Sequence, residues 1–253
     1  MLIGNEVHLT LQSVSEDHKS ATVNTAKIEN GVSGFIVRHF NSEHSAIIAN
    51  AVVKNYNEHN KTLTLGLSKY TGLRNNSLPS GAWEPKAGDE AVLAFGYARA
   101  LLIAPQESIW YKISSGVKAL EWVHPDTFAT YLSYLGHPTP LKDDISGFCT
   151  VVNAGLLYIY AQNALFTLDC QSFALLQITP AAYDRTGSKL PFYSRVEEIR
   201  EAWWGEGSSP LETYDPYYME LIVENNPTSK MLYEYIKNND SNITQLLEEF
   251  EIN

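Results

Sequence analysis

Residues 147–171 read GFCTVVNAGLLYIYAQNALFTLDCQ and hold both cysteines of a 253-residue chain. Two apolar runs rich in β-branched and aromatic residues, LLYIYA and ALFTLD, flank Gln162-Asn163, the pattern of two strands joined by a two-residue turn. Counting outward from an Ala161–Ala164 pair sets Cys170 beside Gly155. Read as extended from Gly147 onward, the chain would carry Cys149 roughly 20 Å away at about 3.3 Å per residue, beyond the roughly 7 Å between Cα atoms that a disulfide tolerates. A bridge therefore needs a bend, and VVNAG offers one at Asn153 and Gly155. A closed loop of this length would contribute roughly 3 kcal/mol in the chain-entropy account. Two unlinked core thiols fit the same residues. A redox dithiol does not, because the cysteines are far apart in sequence. Nor does a zinc site, because no Cys or His lies two to four positions from either.

Upstream, VHLTLQSV, SATVNTAKI, SGFIVRHF, SAIIANAVV, KTLTLGLSKY and EAVLAFGYARALLIA are separated by polar or Gly-containing turns, which predicts an all-β barrel or sandwich over residues 1–104. Gly88 and Asp89 in EPKAGDEAV suit its last turn, the glycine by permitting positive φ and the aspartate by bonding nearby backbone. From Pro105 the period lengthens: SIWYKISSGVKALEW and HPDTFATYLSYLG read as helices, with Pro125 and Asp126 as a start signal. With strands returning over 147–179, residues 105–205 form a smaller α+β module. GEGSSP then breaks the chain, and YDPYYMELIVE, SKMLYEYIKNN and ITQLLEEFEI predict a helical extension over 206–253, the last with Leu246, Leu247 and Phe250 on its apolar face. The fold class is α+β.

A net charge of -11 and a pI near 5.1 oppose nonspecific nucleic-acid binding and attachment to anionic membranes, both of which need clustered Lys and Arg. No apolar run approaches the roughly 20 residues of a spanning helix, so no membrane insertion is expected. There is no basic flank and apolar centre of a signal peptide after Met1. Neither GxSxG, GxxxxGK[ST], HExxH nor a dinucleotide glycine fingerprint occurs, so no catalytic residue, metal or cofactor is assigned.

The order ALLIAP, then the two-cysteine stretch, then PFYSRVEEI resembles the N-terminal domain of the bacterial plasminogen-binding protein family. The resemblance runs from about residue 5 to about 204 and includes the looser spacing of Leu78, Pro79, Gly88 and Asp89. It implies an exported, periplasmic or cell-surface protein, with Met1 as an added start, and it favours the Cys149–Cys170 disulfide. Family members named for plasminogen binding carry a long Lys/Glu-rich tail, whereas this chain reads LLEEFEIN up to Asn253. The expectation is a non-enzymatic scaffold or interaction module whose partner is another protein of the cell envelope. Plasminogen itself, through Lys230 and Lys237, is the alternative, and a hydrolase or carbohydrate-binding protein is a third reading, motivated by aromatics and carboxylates.

Two groups of residues are candidates for contact. Trp203, Trp204, Tyr214, Tyr217 and Tyr218 surround the GEGSSP break and combine the residue types enriched at interfaces; the competing reading has them sealing the tail helices onto the second module. In the family string, Phe192, Tyr193, Ser194, Arg195 and Glu197 either face a partner or fix the exit of the chain through an internal ion pair of the charged residues. His39 and His44 flank Asn41-Ser42, where a two-residue turn would pair them across strands as half a metal site, although no further ligand is evident.

Overall fold

The computed structural model describes residues 5–70, 72, 83–239 and 243–252. Leu78 and Pro79 lie outside them. The chain is α+β and divides into two compact units, Met1–Tyr97 and Ala98–Asn253.

In the first unit, β1 (Val7–Thr10), β2 (Ser13–Val14), β3 (Ser20–Asn24), β4 (Ser33–His39), β5 (Ser45–Asn57), β6 (Thr62–Lys69) and β7 (Glu90–Leu93) make a curled antiparallel sheet, a half-barrel ordered β1-β7-β4-β5-β6-β3-β2. Its interior follows the two-residue period of a strand: Leu63 and Leu65 on β6 and Ala49, Ala51 and Val53 on β5 are buried, while their neighbours are not. The run VHLTLQSV is two strands, not one. The Leu11 amide donates to the Asp89 carbonyl at 2.9 Å and the Gln12 amide to the Thr22 carbonyl at 2.8 Å, so adjacent residues join opposite edges of the sheet.

Gly88 adopts φ 91° in the turn before β7, as its place in EPKAGDEAV requires. Beside it the buried Asp89 carboxylate accepts from the Lys86 amide at 2.8 Å and from Arg38 Nε and Nη2 at 2.8 and 2.7 Å, tying the turn to β4. On the neighbouring residue, Glu90 Oε2 bonds His39 Nε2 at 2.8 Å and Oε1 bonds His8 Nδ1 at 3.0 Å. The His39 bond, then the His8 bond, hold the Glu90 carboxyl below its ordinary value against partial burial. A carboxyl depressed in the folded state stabilises above its unfolded value and loses that contribution as pH falls through the folded one. The expected result for Glu90→Gln is a loss of no more than about 1 kcal/mol near neutrality, shrinking in urea titrations as pH falls below the ordinary carboxylate range and through the depressed folded value.

The long run EAVLAFGYARALLIA is broken by Ala94 and Gly96, with φ 56° and 71°. Its second half becomes β8 (Arg99–Ile103) and pairs in the other unit, so the compact units separate between Tyr97 and Ala98, not after residue 104. There β8 lies inside a mixed five-stranded sheet ordered β12-β11-β10-β8-β9, with β9 (Glu121–Val123), β10 (Leu156–Ala161), β11 (Ala164–Asp169) and β12 (Leu175–Pro180). The parallel pairs β8–β10 and β8–β9 need crossovers, supplied by α1 (Glu107–Gly116), α2 (Pro125–Leu135) and α3 (Lys142–Val152). Every residue of β10 and β11 is buried, as expected for strands covered on both faces. Leu157, Ile159, Phe166 and Leu168 share one core with Phe128, Phe148, Tyr218, Ile222, Leu232 and Ile236. On the opposite face Tyr158 meets Trp122 at 5.2 Å.

The hairpin closes at Gln162-Asn163, with φ 47° and 58° and Ala161 opposite Ala164. Its register brings the Cys170 amide to the Gly155 carbonyl at 2.9 Å. Residues 147–152, however, are the end of helix α3 and not a bent strand. Ile145, Phe148, Cys149 and Val152 recur at helical spacing, Asp144 Oδ2 accepts from the Leu141 amide at 2.9 Å to start the helix, and Asn153 ends it at φ 52°. Cys149 thus stands on the last turn of a helix, and it is disulfide-bonded to Cys170 with Cα atoms 6.2 Å apart.

The residues read as a C-terminal extension belong to the same core. In α4 (Tyr214–Glu224) Tyr218, Met219 and Ile222 are fully buried, as are Leu232 and Ile236 of α5 (Lys230–Asn238). ITQLLEEFEI forms a 3-10 helix over Thr244–Glu249 with Leu246 buried. Among the described residues no helix is long and apolar enough to cross a membrane.

Candidate protein-interaction surface

The family string is an anchor. Phe192 stacks on Phe128 at 5.2 Å with an interplanar angle of 13°, and the Tyr193 hydroxyl donates to Glu107 at 2.8 Å. Burial, then that carboxylate, pushes the Tyr193 phenol up to about 12. The Ser194 carbonyl accepts from the Lys189 ammonium. Arg195 donates from its backbone amide and Nε to the two oxygens of Asp126, each at 2.7 Å. The ion pair of Arg195 is therefore with Asp126, in the first turn of α2, and not with Glu197, which is exposed. Asp126 is drawn up by burial, but the Arg195 bonds outweigh this and hold its carboxyl below the ordinary value.

From Arg195 the chain runs beside α2: the Arg200 amide donates to Ser133 Oγ at 3.0 Å and the Ala202 amide to the Gly136 carbonyl at 2.8 Å. Immediately after this last bond, Trp203 and Trp204 stand 95% and 81% exposed. Tyr134, on the same end of α2, is 86% exposed.

The five aromatics around GEGSSP do not act together. Tyr214 and Tyr218 are buried in the core, the Tyr218 hydroxyl donating to the Pro191 carbonyl at 2.9 Å and the Tyr217 hydroxyl to the Pro140 carbonyl at 2.6 Å. Burial drives the Tyr214 and Tyr218 phenols far above their ordinary value, so they are neutral packing groups. Periodicity separates the two sets: the tyrosines start an apolar helical stripe running through Met219 and Ile222, while the tryptophans precede two glycines and belong to no element. Since the indoles support nothing beneath them, Trp203→Ala/Trp204→Ala should leave the urea midpoint within about 0.5 kcal/mol of the parent.

Trp204 leads into Gly205 and Glu206, which line a pair of adjoining hollows of 360 and 490 Å³. The two share Glu206, Tyr217 and Glu220, and so form one groove between the start of α3, the 205–213 loop and α4. Asp143, Glu212 and Glu224 add carboxylates to its lining, against the single cation Lys142. Burial, then Glu220, Glu249 and Glu206, holds the Glu224 carboxyl above its ordinary value. This groove escaped sequence reading because its carboxylates are scattered over residues 143–224, and only the folded chain gathers them.

The other histidine pairing does not form. His39 lies opposite Ser45 and bonds Glu90, while His44 Nδ1 meets Asn41 Oδ1 at 3.0 Å in a longer turn. Among the described residues no three His, Cys, Asp or Glu side chains are grouped to hold a metal.

The architecture is that of a two-unit α+β protein with exposed indoles beside an acidic groove. The chain belongs to the family described as Plasminogen-binding protein pgbA N-terminal, whose model matches residues 6–222 and so reaches into α4. It is 26% identical over 168 residues to Plasminogen-binding protein PgbA of Helicobacter pylori strain J99 and, equally, to that of strain 26695. Each alignment covers 64% of this chain but only 36% of the relative, so the similarity spans about a third of the length of the curated proteins. Both relatives are named as binding proteins and not as enzymes. No solved structure matches the chain.

Proposed function

We propose that this chain is a non-enzymatic interaction domain of the cell envelope whose ligand is another protein, contacted through the surface that begins at Trp203 and Trp204. The observation that carries the reading is the exposure of two adjacent indoles at the end of a chain segment otherwise pinned along α2. Tryptophan is the residue type most enriched at the energetic centres of interfaces, and exposing two without structural return implies a surface that is covered when the protein works. The disulfide supports placement in an oxidising compartment, the periplasm or cell surface. Incorporating a photo-crosslinking phenylalanine analogue at position 203 tests the reading. The expected result is one discrete protein adduct in envelope preparations, absent when the analogue replaces Lys112 instead; an adduct pattern that does not depend on position would overturn it.

The name of the relatives supports a second reading, plasminogen binding. Lys230 and Lys237 of α5 are exposed and available to it. Surface plasmon resonance on immobilised plasminogen should then show binding abolished by a lysine analogue, and binding that the analogue does not touch, or no binding, removes this reading.

A further inference from the structure

Resting on the interaction reading above, we infer that the groove beside Trp203 and Trp204 takes an extended, lysine- and arginine-rich segment of the partner protein. Four features of the groove converge on that chemistry. It is concave and continuous, with Glu206, Tyr217 and Glu220 common to both of its hollows. Leu141, Leu211, Leu221 and Tyr217 supply apolar wall, against which the methylene stems of Lys and Arg pack while their charged heads reach outward. Asp143, Glu206, Glu212, Glu220 and Glu224 line the same hollows, and among the described residues none is within ion-pair distance of a cation. The two exposed indoles lead directly into the lining residues Gly205 and Glu206, within the same stretch of chain, and present faces to which ammonium and guanidinium groups are attracted.

The charge arrangement selects the occupant. Like carboxylates gathered on one surface repel, and Lys142 is the one cation in the lining against five of them, with no ion pair to any among the described residues; a cationic segment relieves the repulsion on binding. A nucleic acid or anionic lipid surface would be repelled by the same groups. A glycan stacking on the indoles would gain nothing from uncompensated charge, so it leaves the carboxylates without a role. A basic protein segment uses the wall, the charge and the indoles together.

The test is fluorescence anisotropy with fluorescein-labelled hexalysine at physiological salt, on the full chain. Glu206→Gln/Glu220→Gln/Glu224→Gln should weaken binding at least about tenfold, and Trp203→Ala/Trp204→Ala about threefold to tenfold. Glu16→Gln/Glu43→Gln/Glu58→Gln, which removes as many charges from the exposed surface of the first unit, should change it less than about twofold. Equal loss in both glutamine variants would mean attraction to net charge alone and would overturn the inference. So would failure of the parent to bind hexalysine, or chitooligosaccharide binding that persists in the groove variant. A position-dependent adduct from residue 203 together with no hexalysine binding would sink this inference while leaving the interaction reading intact.

Discussion

Replacing Cys149 and Cys170 together by alanine is expected to lower the stability of the second unit by roughly 3 kcal/mol, a midpoint shift of about 6–12 °C for a unit of this size. The bridge joins positions 21 residues apart, and its removal restores to the unfolded chain the freedom that the closed loop denies it. Both side chains are fully buried, so the substitution also gives up the packing of two sulfur atoms in the main core. What the bridge holds is specific: the last turn of α3, which covers the sheet, is fastened to the end of β11. The β10–β11 hairpin should survive, because its register is set by the turn at Gln162-Asn163 and by buried side chains on both faces. Urea unfolding followed by tryptophan fluorescence measures the loss, and a thiol reagent provides the check. Oxidised parent should show no reactive thiol until reduced under denaturing conditions. An unchanged unfolding midpoint in the alanine variant would contradict this account of the core.

Phe128→Ala should be at least as damaging, at about 3–5 kcal/mol. The Phe128 ring is fully buried, 4.9 Å from Phe148 on α3 and 5.2 Å from Phe192 of the family string. Its removal leaves a cavity where α2, α3 and that string meet, a place the surrounding close-packed sheet cannot fill by moving a single side chain. Because Phe192 loses its stacking partner, the adjacent Tyr193–Glu107 and Arg195–Asp126 bonds lose the packing that orients them. The effect therefore reaches the segment carrying Trp203 and Trp204, and its amides at Arg200 and Ala202 should exchange faster with deuterium. A loss below about 1 kcal/mol, with exchange unchanged, would show that the three rings do not form a cooperative unit.

Much of this architecture was legible in the chain. The turn at Gln162-Asn163 fixed the hairpin and the neighbours of Cys170, because two positive-φ positions between apolar runs admit few alternatives. Helix α2 was readable from its apolar period and from Pro125 and Asp126, which mark its start. Residues 147–152 were misread because Cys149, Thr150, Val151 and Val152 have strand-like side chains, and their helical period shows only when counted from Lys142. The aromatic cluster divides between its two readings, the tyrosines sealing α4 onto the core and the tryptophans left exposed. Trp203 and Tyr214 are similar in interface preference, and what separates them is whether an adjacent element provides a core to enter. The groove was not legible at all, since it depends on tertiary placement of residues that show no spacing signal.

The bonds from Leu11 to Asp89 and from Gln12 to Thr22 give the half-barrel an ordering in time. β1 needs β7 as its neighbour, and the two are more than seventy residues apart, so a chain emerging from its amino end must hold its first strand unpaired until the last has been made. During that interval the inner row of the nascent sheet is open to water. Any delay in delivering Glu90–Leu93 then prolongs the period in which the first unit is vulnerable to clumping or to assistance by chaperones.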